Sequence, residues 1–339
     1  MTILQTIWWL LIGVLLTGYA VLDGFDLGAG FWHLFAKKDE DRRLFLNAIG
    51  PVWDGNEVWL LTGGGAMFAA FPPVYASVFS GMYLALMLVL FGLILRAVSI
   101  EFRSHLEDER WRRVWDVAFT VGTMIPALLF GVALGNVLAG MELAPNGDYL
   151  GGFFHLLNPY ALLIGVLGLA MIVVHGGLYL AMKTEGDIAA RIGGGVKIAW
   201  WVYLALFLVA GLVTFIFEPR MMQNFLYQPL LFLAPLGAMA AIVSLGVELR
   251  RGQITRAFVA SALAIVGLMA TAGASLFPNL VPSSDDFGLS LTLYNSSSSY
   301  NTLKVMLIIA VVFMPLVIGY TIWIYRTFRG KTTLVGAKY

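Results

Sequence analysis

Residues 1–34 read MTILQTIWWLLIGVLLTGYAVLDGFDLGAGFWHL, a long apolar run whose only carboxylates are Asp23 and Asp26. A helix of about 20 apolar residues suffices to cross the hydrocarbon core of a bilayer. The run has no basic start and no small-residue cleavage site, which distinguishes it from a secretory signal peptide. We therefore expect it to form the first membrane-spanning helix.

The composition extends this interpretation to the whole chain. Of the 339 residues, 60% are hydrophobic and 12% are charged, and the mean hydropathy is +0.84. A soluble globular protein carries about 25% charged residues, so the sequence indicates an all-α polytopic membrane protein. The net charge of +1 gives no indication of nucleic-acid binding. The absence of cysteine excludes disulfides, thiolate metal sites and iron–sulfur clusters, and we predict no metal site.

Nine apolar stretches are separated by charged residues or by Pro and Gly. They lie at about 5–34, 55–71, 75–100, 114–140, 159–183, 196–217, 227–248, 256–276 and 302–326. The second is the weakest, because it is short and contains Gly63–Gly65 before Pro72. We predict one integral membrane domain over 1–339, with a first helix group at about 5–140, a second at about 159–276 and a last helix at about 302–326.

Basic residues alternate sharply along the connections between the predicted spans. One side of the predicted membrane holds 18 of the 21 Lys and Arg residues: Lys37, Lys38, Arg42, Arg43, Arg103, Arg110, Arg112, Arg113, Lys183, Arg191, Lys197, Arg250, Arg251, Arg256, Arg326, Arg329, Lys331 and Lys338. Because cytoplasmic connections are enriched in Lys and Arg, we predict an N-terminus outside and a C-terminus in the cytoplasm. Without the second span, the four arginines after the third would lie outside, so the same rule supports nine spans.

Ionisable side chains within the spans are the strongest pointers to function, because charge inside a bilayer is unfavourable. With the predicted orientation, the ionisable residues of the first four spans all lie in the cytoplasmic half: Asp23, Asp26, Asp54, Glu57, Arg96, Glu101 and Asp116. Two interpretations stay open. The carboxyl groups could carry protons from the cytoplasm toward the membrane interior. Alternatively, Arg96 pairs with carboxylates to fix helix packing, and the acids at helix starts are stabilised by the helix dipole.

Two histidines, His33 and His175, lie in predicted spans. A haem held by two protein ligands needs a pair that faces each other across helices. A single histidine hydrogen-bonded between helices is the more frequent arrangement. We predict that no haem is held by the side chains of this chain.

Five blocks of the sequence resemble subunit II of the cytochrome bd-type quinol oxidases. They are GFDLG at 24–28, WDGNEVWLLTGGGAMFAAFP at 53–72, RAVSIEFRS at 96–104, FPNLVPSS from Phe277 and SLTLYNSSSSYNTL from Ser290. The blocks keep their order from the first predicted span to the last, and the block at 53–72 is long and distinctive.

The resemblance implies a nine-helix subunit paired with a haem-bearing subunit I in the bacterial cytoplasmic membrane. The complex would oxidise a quinol and reduce dioxygen to water, with protons drawn from the cytoplasm. Haem b and haem d groups would be held by subunit I and none by this chain. The family pattern also allows a structural quinone in this subunit and a small accessory transmembrane subunit beside it, within membrane lipid.

The matched blocks also suggest roles for individual residues. Asp54, in the distinctive block, becomes the leading candidate for the proton route, and Trp59 lies on the portion associated with the oxygen approach. The predicted site comprises proton-route candidates Asp54, Asp26, Asp23 and Glu57, a structural polar cluster of Arg96, Glu101 and Asp116, and the oxygen-access candidate Trp59.

A proton-coupled secondary transporter is the alternative hypothesis, since it would also contain intramembrane carboxylates. A transporter should show broken helices in corresponding halves and polar groups near the midplane. Here the charges cluster in one helix group toward one face, which favours the oxidase subunit.

Overall fold

The computed structural model describes residues 1–334. Lys338, counted in the last basic group above, lies outside the described residues. The described part contains twelve α-helices and two short strands. The helices and strands are α1 Thr2–His33, α2 Asp39–Ile49, α3 Trp53–Ala70, α4 Pro72–Gly81, α5 Tyr83–Phe102, α6 Glu109–Ala139, α7 Pro159–Lys183, α8 Gly186–Phe217, α9 Gln223–Tyr227, α10 Leu233–Arg250, α11 Ile254–Leu276, β1 Asn279–Val281, β2 Leu291–Thr292 and α12 Tyr300–Thr327.

The all-α membrane architecture predicted from composition is confirmed. Among the described residues, eight helices are long and apolar enough to span a membrane: α1, α5, α6, α7, α8, α10, α11 and α12. The second predicted span is the helix α3, which is not one of these eight. It nevertheless runs antiparallel along α1, since Asn56 contacts Leu22, Trp59 contacts Gly18 and Gly63 contacts Leu16. The count of nine spans stays a prediction.

Helix α1 lies at the centre of the molecule and packs against α3, α6, α7, α11 and α12. Its closest approach is to α7, where the backbone of Gly28 meets that of Gly176 and the carbonyl of Ile172. A β-carbon on Gly28 would lie 2.8 Å from the α-carbon of Gly176, so only glycine allows this separation. The crossing fixes the polar residues of α1 relative to the second predicted helix group.

One sequence expectation about a helix boundary is wrong, and one short helix was missed. The third predicted span is two helices, α4 and α5, which are separated at Met82. The two proline residues at 72 and 73 favour a new helix start after α3, and Gly81 packs against the ring of Tyr149 where α4 ends. Helix α2 was not predicted, because it is short and begins with Asp39, Glu40 and Asp41 rather than with an apolar run.

Consecutive long helices pack antiparallel, so their ends form two opposite faces. We call one face the basic end and define it by the helix termini that meet there: His33, Trp53, Phe102, Glu109, Lys183, Gly186, Arg250, Ile254 and Thr327. At the opposite end, β1 pairs with β2, and Met141 N donates to the carbonyl of Pro282 at 2.9 Å. The connection between α6 and α7 therefore packs against the connection between α11 and α12.

Candidate functional site: two buried polar clusters

Arg96 lies in the middle of a group of polar side chains that we call the central polar cluster. Its members are Asp23, Asp26, Asn56, Glu57 and Arg96. The side chain of Arg96 is completely buried. The guanidinium donates through Nη1 to Asp23 Oδ2 at 3.0 Å and through Nη2 to Glu57 Oε1. It also lies 6.0 Å from the ring centroid of Trp53, within reach of a cation–π interaction. Two carboxylates thus share one buried cation, and the side chain of Glu57 keeps 18% of its surface exposed.

Asp26 occupies a separate position in the same cluster. It is fully buried, and its Oδ2 accepts a hydrogen bond from Asn56 Nδ2 at 2.7 Å. Asn56 in turn accepts from the hydroxyl of Tyr325 at 3.0 Å and donates to the carbonyl of Leu22 at 3.0 Å. A continuous line of hydrogen bonds therefore leads from α12 through α3 to the carboxyl group of Asp26 on α1.

Some buried polar atoms of this region have no hydrogen-bond partner among residues 1–334. They are Asp23 Oδ1, Asp26 Oδ1, Arg96 Nε and the hydroxyl of Tyr19. Buried polar atoms without a hydrogen-bond partner are uncommon in folded proteins, so their presence here points to a functional role. Because Oδ2 of Asp26 is engaged by Asn56, Oδ1 is the atom of this carboxyl group at which a proton can bind.

A second cluster lies nearer the basic end and is centred on Asp116, which is 6% exposed. Its Oδ1 contacts His33 Nε2 at 2.6 Å and Arg103 Nε at 2.5 Å, and its Oδ2 accepts from Arg42 Nη1 at 2.9 Å. Arg103 also donates to Asp39 Oδ1 at 2.6 Å. The contacts join α1, α2 and α6 to the turn that follows α5.

The expectation that Asp116 forms one cluster with Arg96 is wrong. Arg96 and Arg103 lie seven residues apart, which is about two helical turns or 10 Å. The first turns of α6 lie beside Arg103, so Asp116 pairs with Arg103. Arg96 pairs instead with Asp23 and Glu57. The seven-residue spacing between Arg96 and Arg103 could have indicated that Arg103, rather than Arg96, is the partner of Asp116.

Replacing Asp116 by asparagine should destabilise the protein, because His33, Arg103 and Arg42 lose the carboxylate that they share. Arg42 and Asp39 have side chains 32% and 39% exposed, so water can relieve part of the loss. We expect a decrease in the free energy of unfolding of about 1–3 kcal/mol. Thermal unfolding of the purified protein in detergent measures it, with Glu109→Gln as a control at an exposed acid in the first turn of the same helix. Equal midpoints for the two variants would contradict the role assigned to Asp116.

The remaining predicted site residues lie around these two clusters. Asp54 is exposed in the first turn of α3, one turn before Glu57. Glu101 is half-buried near the end of α5. Trp59 is half-buried, and its ring lies directly against Gly18 of α1. The structure thus brings Asp23, Asp26, Glu57 and Arg96 together, with Asp54 at their solvent side.

Both membrane histidines have protein partners. His175 Nδ1 contacts Ser261 Oγ at 2.6 Å, and its Nε2 contacts the carbonyl of Val21 at 2.9 Å. The ring stacks on Phe258 at 4.6 Å between centroids, so His175 bridges α1, α7 and α11. Neither nitrogen of His175 is left for an iron atom, whereas His33 uses Nε2 for Asp116 and has no hydrogen-bond partner at Nδ1 among residues 1–334. The histidine environments therefore do not fit an axial pair for haem.

Comparisons with known proteins give a consistent result. The family described as cytochrome bd terminal oxidase subunit II matches residues 4–328. The chain is 39% identical to cytochrome bd-I ubiquinol oxidase subunit 2 of Escherichia coli (strain K12), over 98% of this chain and 96% of that protein. It is 34% identical to cytochrome bd ubiquinol oxidase subunit 2 of Bacillus subtilis (strain 168), over 98% of both chains.

A solved structure shares the fold. A chain of the bd oxidase from Geobacillus thermodenitrificans superposes with a TM-score of 0.77 at 16% sequence identity, covering 97% of this chain and 99% of that one. The similarity in fold therefore extends over nearly the full length of both chains.

Proposed function

From the premise that the chain belongs to the cytochrome bd terminal oxidase subunit II family, we propose that it supplies protons to a quinol oxidase through its central polar cluster. The family makes the chain a component of a bd-type quinol oxidase, an oxidoreductase with haems in the complex and with at least one partner subunit. The chain is an integral protein of the bacterial inner membrane. Family membership decides against the transporter hypothesis.

The observation that supports the proposal is the arrangement of the acids: one exposed acid lies at the basic end, and further acids lie deeper in the molecule next to it. Asp54 takes up protons at the basic end, and Glu57 follows one helical turn deeper on α3. Asp23 and Asp26 lie on the facing part of α1, and Asp26 has a carboxyl oxygen without a hydrogen-bond partner among the described residues. Protons come from the cytoplasm if the basic end faces it, as the distribution of Lys and Arg predicts.

The haems, in this proposal, are held by subunit I. The hydrogen bonds of His175 support this assignment, because using its ring as an iron ligand would break a contact between helices. Trp59, which packs on Gly18, borders the oxygen approach. The structural quinone, the accessory subunit and the division into two helix groups stay predictions.

Substitution of Asp54 by asparagine tests the proposal. The amide keeps the size and hydrogen-bonding capacity of the side chain but removes its exchangeable proton. We expect the quinol-dependent oxygen consumption of the assembled complex to fall on the order of three- to tenfold with unchanged haem absorbance, because water can partly replace an exposed carboxylate.

The matched control is Asp187→Asn, which removes an exposed aspartate from the first turn of α8 at the same end of the molecule. It should leave turnover unchanged. Full turnover in the Asp54→Asn complex would remove Asp54 from the route.

A further inference from the structure

A cleft of about 240 Å³ opens at the basic end, bordered by Tyr325, whose hydroxyl donates to Asn56 of the central polar cluster. It lies between the α2–α3 junction, the end of α7 and the segment that follows α12. Its lining contains three cations, Lys183, Arg329 and Lys331, together with the rings of Tyr179 and Tyr325, and it contains no carboxylate. We call it the basic cleft.

The lysines of the basic cleft are held in place by carbonyl groups. Lys183 Nζ donates to the carbonyl of Phe328 at 2.6 Å and lies 5.8 Å from the ring centroid of Tyr179. Lys331 Nζ donates to the carbonyl of Thr184 at 2.7 Å. The backbone N–H of Thr332 donates to the carbonyl of Lys183 at 2.8 Å, which ties the segment after α12 to the end of α7. The two lysines are therefore positioned before any ligand arrives.

The three cations have no negative partner in the part of the chain that the structure describes. At the same end of the molecule, arginines 42, 103, 112 and 191 each form an ion pair with an aspartate. Within residues 1–334, Lys183, Arg329 and Lys331 form no ion pair. A concave surface with three unneutralised cations attracts an anion, and carbonyl-anchored lysines still have N–H donors to offer it.

We propose that the basic cleft binds a phosphate group at the membrane surface. Lysine binds phosphate as a point charge, while the guanidinium of Arg329 can bind two phosphate oxygens at once. The volume suits a headgroup rather than a whole lipid. No residue in the most apolar stretch of the neighbouring helix α12 is fully buried, which provides a surface for acyl chains beside the cleft. The phosphate belongs either to an anionic phospholipid or to free phosphate in solution.

Titration of the purified two-subunit complex in detergent distinguishes these sources. One arm uses short-chain phosphatidylglycerol and the other inorganic phosphate at the same ionic strength, and binding is followed by the rise in thermal unfolding midpoint. We expect a saturable rise in at least one arm, and the arm that shows it identifies the source. The double variant Lys183→Gln with Lys331→Gln should need about tenfold more ligand for the same rise.

Two further sets of substitutions test whether binding depends on the basic cleft itself. Arg329→Gln changes a cation that has no hydrogen bond or ion pair within the described residues, so a loss of affinity there cannot come from misfolding. Lys197→Gln with Arg256→Gln removes the same charge from exposed positions outside the cleft and should bind as the unchanged protein does. An equal loss of affinity in this control pair, or unchanged affinity in both cleft variants, would overturn the proposal.

Discussion

Arg96→Leu is expected to sharply reduce the amount of assembled complex in the membrane. The substitution leaves the carboxylates of Asp23 and Glu57 without their shared cation in a region where Asp23 is completely buried. Removal of one member of a buried ion pair destabilises soluble proteins by about 3–5 kcal/mol, and a membrane interior offers less solvent than most soluble cores. The measurement is the yield of the assembled complex after purification, with haem absorbance as a second readout.

Rescue by a second substitution separates this explanation from a general effect of leucine. Adding Asp23→Asn or Glu57→Gln to Arg96→Leu should restore part of the yield, because the buried negative charge is reduced. Adding Asp116→Asn should not, since Asp116 belongs to the other cluster. Arg110→Leu, at an exposed position in the first turns of α6, is the matched control and should assemble normally. Normal assembly of Arg96→Leu would mean that its ion pairs contribute little.

Asp26→Asn is expected to lower oxygen consumption by about tenfold or more while haem content and assembly persist. The amide oxygen can still accept the hydrogen bond from Asn56, and the Arg96 ion pairs involve other carboxylates, so the packing is preserved. What is lost is the carboxyl group that can hold a proton at the end of the hydrogen-bonded line. Steady-state oxygen uptake with excess quinol measures the change.

Tyr325→Phe provides the comparison for Asp26→Asn. It removes the donor to Asn56 at the other end of the same line but leaves every carboxyl group in place. We expect a smaller decrease in turnover than for Asp26→Asn. Wild-type turnover in the Asp26→Asn complex would exclude Asp26 from the proton route, whatever Tyr325→Phe shows.

The membrane fold was predictable because long apolar helices leave a strong signal in the sequence. The pairing of Arg96 with carboxylates of the first helix group was also predictable, since an unpaired guanidinium is unfavourable in a bilayer. The choice among Asp23, Asp26 and Asp116 was not predictable, because it depends on the rotation of α1 and on the register of α6 against α5. Spacing within one helix gives neither quantity.

Other contacts escaped prediction for different reasons. Tyr325 lies 269 residues from Asn56, and a single tyrosine at the end of an apolar helix has no distinguishing pattern. His33 was assessed as a haem ligand, whereas its partner is Asp116 on another helix. The basic cleft depends on the path of residues 327–332 after α12, where the sequence shows only scattered cations.

The sparse packing of α12 has a consequence for the order in which the protein matures. This helix contacts α1 near its start, where Trp8 Nε1 donates to the carbonyl of Leu303 at 2.9 Å, and contacts α3 near its end through Tyr325. It is the last of the described helices to leave the ribosome, which adds about 5–20 residues per second. Asn56 and Asp26 are therefore in the membrane for roughly tens of seconds before the hydroxyl of Tyr325 reaches them. A nascent chain cut short before α12 would leave Asn56 without the hydroxyl donor of Tyr325.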